Sequence, residues 1–230
     1  GSATTTYNVN GLAAGSANYI DMGNFSNITA SSFNGSVQIK SVKAGTSTPG
    51  SVVASSMELQ LTGDNAYAFE GAADTSPVIY MPSALCNFGP NSNTTSAYAV
   101  QNTSSSANAN VTVTYSNGKV DGPYNLAPGT KRSFDGCAAG NPNGFIGSAV
   151  ITSTGADIVS VGKIYGGGLS TAFLGFPSGA AKISLPYVRW TESHWTDGQR
   201  QRAYIAIQNV GSSDLSNGQA KVKYYDKFGT

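Results

Sequence analysis

Apolar residues in this chain recur at every second position, in short runs separated by glycine, proline and asparagine. Val37-Gln-Ile-Lys-Ser-Val42, Met57-Glu-Leu-Gln-Leu61, Val111-Thr-Val-Thr-Tyr115 and Ala220-Lys-Val-Lys-Tyr224 all carry the pattern. A strand turns successive side chains to opposite faces, so this alternation predicts strands with one buried and one wet face. Between them, Asn117-Gly118, Asp121-Gly-Pro123, Pro128-Gly129 and Gly166-Gly-Gly168 supply the positive φ angles and fixed proline φ that turns need. No stretch of about a dozen residues has the period of an amphipathic helix. The expected fold class is all-β, with short strands at the regular spacing of a sandwich.

The strands repeat. Ala68-Phe69, Gly71, Ile79 and Pro82 match Ala172-Phe173, Gly175, Ile183 and Pro186, and Ala99-Val-Gln-Asn102 matches Ala206-Ile-Gln-Asn209. Val113 and Tyr115 match Val222 and Tyr224, Phe33-Asn-Gly-Ser36 matches Phe145-Ile-Gly-Ser148, and Tyr7-Asn8 matches Tyr124-Asn125. The order is the same in both copies, and the spacing drifts only where loops absorb it. The copies are not laid end to end, however. Residues 77–186 hold one complete unit, residues 1–76 match its C-terminal half, and residues 187–230 match its N-terminal half. The domain organisation expected is one complete β-sandwich flanked by two complementary half-domains.

Half a sandwich leaves its inner apolar face and its strand edges in water. The missing half therefore has to come from adjacent repeats of a longer chain or from neighbouring copies of this one, by strand complementation. The contact is heterologous and need not close, so either route gives a filament.

Tyr98-Ala-Val-Gln-Asn-Thr103 and Tyr204-Ile-Ala-Ile-Gln-Asn-Val210, with Val111-Thr-Val-Thr-Tyr115, Ala127-Pro-Gly-Thr130 and Gly144-Phe-Ile-Gly-Ser-Ala-Val-Ile-Thr-Ser153, carry a family likeness. They resemble the tandem immunoglobulin-like repeats of large bacterial secreted and cell-surface proteins, over most of residues 7–230. The resemblance implies extracellular display and a structural or adhesive role, and brings no catalytic residues with it. The stretches from Ala44 to Ala54 and from Arg189 to Arg202 depart from the repeat.

Composition agrees with this class. Of 230 residues only 11% are charged, against about a quarter in an average domain, and the net charge of +1 offers nucleic acid no basic surface. No apolar run approaches the roughly 20 residues of a membrane-spanning helix, and no signal peptide is visible. The chain opens at Gly1-Ser2, which fits a mature or excerpted chain or a cloning scar.

Cys86 and Cys137 both lie in the complete unit, and their counterparts, near Trp190 and near Phe25, are not cysteine. Paired presence and paired absence suggest a disulfide and an oxidising compartment, with two free thiols the alternative. Asn24, Asn27, Asn34, Asn93, Asn102 and Asn110 each open an Asn-x-Ser/Thr sequence and are candidate glycan attachment sites, beside the hydroxyls of Thr103, Ser104 and Ser105. Ordinary turn and strand polarity explains the same residues.

Trp190 and Trp195 lie with the only histidine, His194, in the charged Arg189–Arg202 segment. They are a candidate platform for a sugar ring, or else a hydrophobic plug where the complete unit has Cys86. His194 with Glu192 or Asp197 lacks a nucleophile motif, Gly166-Gly-Gly168 lacks a following helix, and Glu70 and Asp74 read as isolated carboxylates on loops. No catalytic, metal or cofactor site is expected, and the chain is not read as an enzyme. The expected function is a structural, secreted or cell-surface protein that assembles end to end, with an adhesin or carbohydrate-binding module using Trp190 and Trp195 as the alternative. Its expected partners are copies of itself, with glycans as further candidates.

Overall fold

A computed structural model describes residues 5–9, 11–29, 33–59, 66–89, 93–189, 203–226 and 228. Ten strands are found among them: β1 (Ser55–Leu59), β2 (Ala66–Glu70), β3 (Val78–Cys86), β4 (Thr95–Asn102), β5 (Ala109–Tyr115), β6 (Val120–Leu126), β7 (Lys131–Asp135), β8 (Phe145–Thr154), β9 (Ile158–Gly166) and β10 (Leu169–Leu174). A single 3-10 turn (Met22–Asn24) and a four-residue helical turn (Ser26–Thr29) are the helical elements described. The fold is all-β.

Strands β3 to β10 form two antiparallel four-stranded sheets, ordered β3-β8-β5-β6 and β10-β9-β4-β7. Their facing side chains build one core. Ile79, Val113, Tyr115 and Ile151 of the first sheet meet Tyr98, Val100, Phe134 and Ile158 of the second, all essentially without solvent exposure. In β5 the alternation read from the sequence is realised: Val111, Val113 and Tyr115 point inward, while Asn110 and Thr114 face water. Each inward aliphatic side chain contributes about 1.5–3 kcal/mol by leaving water.

Two irregularities have local causes. Asp121-Gly-Pro123, read from the sequence as a turn, lies inside β6, where the register against β5 shifts between Val111 and Val113. Gly122 takes φ 121° there, and a Cβ on it would stand 2.7 Å from the Val111 carbonyl, so only glycine fits the bulge. Pro82 sits within β3, an edge strand, at a second register shift between Met81 and Ala84. A residue with no N–H to donate is tolerated there and blunts the edge.

The strands are interleaved in sheet order. None of β3, β4 and β5, the first three strands of the sandwich, is a neighbour of another. Strand β3 pairs only with β8, β4 pairs with β7 and β9, and β5 pairs with β6 and β8. Among the last five, β6 to β10, the one internal pairing is the β9–β10 hairpin.

The flanking segments are much less regular. Before β3, the described residues form the two-stranded β1–β2 hairpin and an isolated bridge between Val42 and Pro49. After residue 186 no described residue lies in a strand. Val37–Val42 and Ala220–Tyr224, expected as strands from their alternation, are therefore not strands here. The alternation is present, but among the described residues no ladder partner lies beside either segment, and a lone strand leaves its N–H and C=O groups to water.

Candidate functional site

Three sets of residues are candidates for chemistry: the cysteine pair, the tryptophan segment and the Asn-x-Ser/Thr acceptors. Cys86, the last residue of β3, is bonded to Cys137, in the turn after β7, with S–S 2.08 Å and Cα–Cα 4.9 Å. The bond joins an edge of one sheet to an edge of the other. It closes a loop with a sequence separation of 51, for which chain entropy predicts about 4 kcal/mol. Trp190, Trp195, His194, Glu192 and Asp197 lie outside the described residues.

Asn102 is corrected. The side chain is fully buried at the end of β4, where Nδ2 donates to the carbonyls of Ala107 (2.8 Å) and Leu126 (3.0 Å), and Oδ1 accepts from the Ser104 amide (3.0 Å). An amide with both protons committed inside the sandwich is a structural corner, and the folded unit leaves no room for a glycan on it. Asn24, Asn34, Asn93 and Asn110 are exposed. Asn27 falls in the Ser26–Thr29 turn, and its side chain lies outside the description. Of the neighbouring hydroxyls, Thr103 Oγ1 donates to the Asp157 carbonyl (2.9 Å) and Ser104 Oγ accepts from the Ser106 and Ala107 amides, while Ser105 is exposed. Gly166 to Gly168 form the β9–β10 turn, and Glu70 is the exposed last residue of β2 rather than a loop residue.

Among the described residues, no three of His, Cys, Asp and Glu gather as a metal site would require, and no helix is long and apolar enough to cross a membrane. The largest unexplained feature is instead apolar surface. Continuing the repeat match along the chain, Ile151 corresponds to Ile39, Ile79 to Ile183 and Val113 to Val222. The first of each pair is at most 1% exposed, whereas the second is 58%, 71% and 47% exposed. Tyr115 and Leu126, both buried, correspond to the exposed Tyr224 and Val9. In the outer segments, then, the residues that match buried core positions of the sandwich are exposed. Apolar side chains exposed in such number are candidates for a binding face.

Local structure within these segments already follows the complete unit. The Gly71 amide donates to the Ala54 carbonyl at the end of the β1–β2 hairpin, and the Gly175 amide donates to the Ser160 carbonyl at the end of β9–β10, both at 2.8 Å. Asn209 builds the turn that Asn102 builds: Oδ1 accepts from the amide two residues on (Gly211, 3.0 Å), and Nδ2 donates to the Ser213 carbonyl (2.8 Å). Among the described residues, the bond to Leu126 has no counterpart at Asn209. This corner escaped sequence reasoning, although the Gln-Asn pair shared by both copies pointed to it.

The segments also touch the complete sandwich. Glu58 of β1 pairs with Lys163 of β9, Ser170 Oγ donates to the Ala66 carbonyl (3.0 Å), and the Lys163 ammonium lies 4.6 Å from the Tyr67 ring centroid. Gln208 Nε2 donates to the Ala149 carbonyl (3.3 Å). No ladder joins the two flanking segments to each other among the described residues. Family models, curated proteins and solved structures give no match to the chain.

Proposed function

We propose that the chain is a structural protein of an extracellular surface, built from immunoglobulin-like sandwiches and assembled end to end as a filament, stalk or array. Each junction is a split sandwich, whose first three strands come from the C-terminal segment of one unit and whose last five come from the N-terminal segment of the next. The unit that completes it is a neighbouring copy or an adjacent repeat of a longer chain.

The observation that carries this reading is the interleaving of the strands. In the complete sandwich the first three strands form no ladder with one another, the single Phe88–Thr94 bridge between β3 and β4 lying outside the strands, and the last five pair internally only as the β9–β10 hairpin. A first half on its own should therefore form no ladder, and a second half should form one hairpin. The C-terminal segment has no strand among its described residues, and the N-terminal segment has one hairpin, β1–β2, closed by the same glycine hydrogen bond. The disulfide fits an oxidising compartment.

Sedimentation and negative-stain microscopy of the purified chain test the reading. End-to-end oligomers that grow with concentration are expected. A species that remains monomeric at millimolar concentration overturns it.

A further inference from the structure

Gly175 and Gly71 occupy equivalent positions after equivalent hairpins, but their surroundings differ. A Cβ built on Gly175 would meet Ile79 Cγ2 at 2.3 Å and Met81 Sδ at 2.7 Å, because β3 packs directly over that backbone. Among the described residues, the same Cβ on Gly71 meets nothing nearer than Ala54, at 3.5 Å. No described residue fills, in the N-terminal segment, the slot that β3 fills in the complete unit. The side chains that correspond to Ile79 and Met81 are Ile183 and Leu185, 71% and 56% exposed.

The backbone beside the slot has a vacancy of the same kind. In the complete unit Tyr80 and Phe176 exchange both of their main-chain hydrogen bonds, at 2.8 and 3.0 Å. Their counterparts are Ser184 and Ala72, which have no such bridge between them. Asn209 fits the same vacancy. Its Nδ2 already holds one carbonyl, as Asn102 does, and the second carbonyl that Asn102 binds belongs to Leu126, whose counterpart is Val9.

Resting on the split-sandwich reading above, we propose that a second copy of this chain is the occupant, in one defined register. Residues 182–189, 203–209 and 218–224 of one copy add three strands to residues 33–42, 55–59 and 66–72 of the next, with residues 5–9 beside them. Ile183 and Leu185 seat over Gly71, Ser184 bridges Ala72, Val222 lies opposite Ile39 as Val113 lies opposite Ile151, and Asn209 reaches the Val9 carbonyl. The occupant is a second copy because its apolar side chains and hydrogen-bonding groups match the vacancies position by position. A one-residue slip would turn every inward side chain to water, so the register is tightly specified.

Two variants of the full chain test this. Gly71→Val has an open site in the unassembled chain and a blocked one in the assembled state. It should lose every species above monomer on sedimentation while keeping the urea midpoint of the complete sandwich. Second, a Val222→Cys chain mixed with an Ile39→Cys chain should give a disulfide-linked heterodimer on mild oxidation, since the two native cysteines are already bonded to each other. A Val222→Cys chain mixed with a Lys40→Cys chain, shifted by one residue, should not cross-link. If the wild type associates but Gly71→Val associates equally well, or the shifted pair cross-links in place of the matched one, the register is wrong while end-to-end assembly stands. If both changes in a single chain give only an internally cross-linked monomer, the two segments close on each other and the second copy is not the occupant. If the wild type does not associate at all, the underlying reading fails as well.

Discussion

Asn102 donates its side-chain amide to the Leu126 carbonyl at 3.0 Å, a bond that ties β4 of one sheet to β6 of the other. The corresponding residue in the C-terminal segment, Asn209, has the local half of this arrangement and lacks the half that crosses between sheets.

Replacing Asn102 by alanine removes the donor for two carbonyls and the acceptor for one amide inside the sandwich. The expected loss is about 2–4 kcal/mol of unfolding free energy, read as a lower urea midpoint. Asn209→Ala should leave the same transition within about 0.5 kcal/mol, because the residue lies outside the complete core. Equal effects of the two changes would contradict the assignment of the complete unit.

Much of the fold is legible in the sequence, and what is not has identifiable causes. The alternation at Val111–Tyr115 names both the strand and its buried face. An equally clear alternation at Ala220–Tyr224 forms no strand, because periodicity records a side chain's preference and says nothing of whether a ladder partner is present. Strand order was hidden for the same reason: β3 pairs with β8 across most of the unit, and no local signal encodes that contact. Asn102 looked like a glycan acceptor because a three-residue motif does not report burial. Asp121-Gly-Pro123 looked like a turn because a β-bulge uses the same residues. The disulfide was readable only through comparison of the two copies.

Removing the Cys86–Cys137 bond, by Cys137→Ser with Cys86→Ala, should cost about 2–4 kcal/mol. The two sheets share a buried core apart from that bond, so the sandwich should still fold, with a lower thermal midpoint measured by calorimetry. An unchanged midpoint would mean that the loop is already held by other contacts.

Alkaline pH should unfold the sandwich. Burial holds the Tyr98 and Tyr115 phenols well above the ordinary tyrosine value, with the Asp121 and Asp135 carboxylates adding to the effect at Tyr115. Tyr165, hydrogen-bonded to Asp135 at 3.0 Å, is pushed up to about 12, first by burial and then by that carboxylate. A raised folded-state pKa means that the unfolded chain ionises first. The stability is fully present below the unfolded value near 10 and is lost as pH rises toward the folded values. Urea midpoints should be flat from neutral pH to about 9 and fall above about 10. A flat profile to pH 12 would contradict the burial of Tyr98 and Tyr115.

Paired core truncations test the proposed distinction between a complete and a split sandwich. Ile151→Ala should cost about 2–5 kcal/mol in any state of the protein, as a buried aliphatic truncation does. Ile39→Ala, at the equivalent but exposed position, should cost nothing in the unassembled chain and a comparable amount once units are joined. The measurement is urea unfolding at low and high protein concentration.

Concentration-dependent amide hydrogen exchange tests the central claim most directly, because it reads ladder formation residue by residue. In dilute protein, residues 145–154 and 109–115 should be protected, while their counterparts 33–42 and 218–224 exchange at the rates of open chain. As units join, protection should appear in both counterpart segments together and approach that of the complete sandwich. Oligomers in which residues 33–42 and 218–224 still exchange freely, or protection of both segments in a species that sediments as a monomer, would contradict completion of the split sandwich by a neighbouring unit.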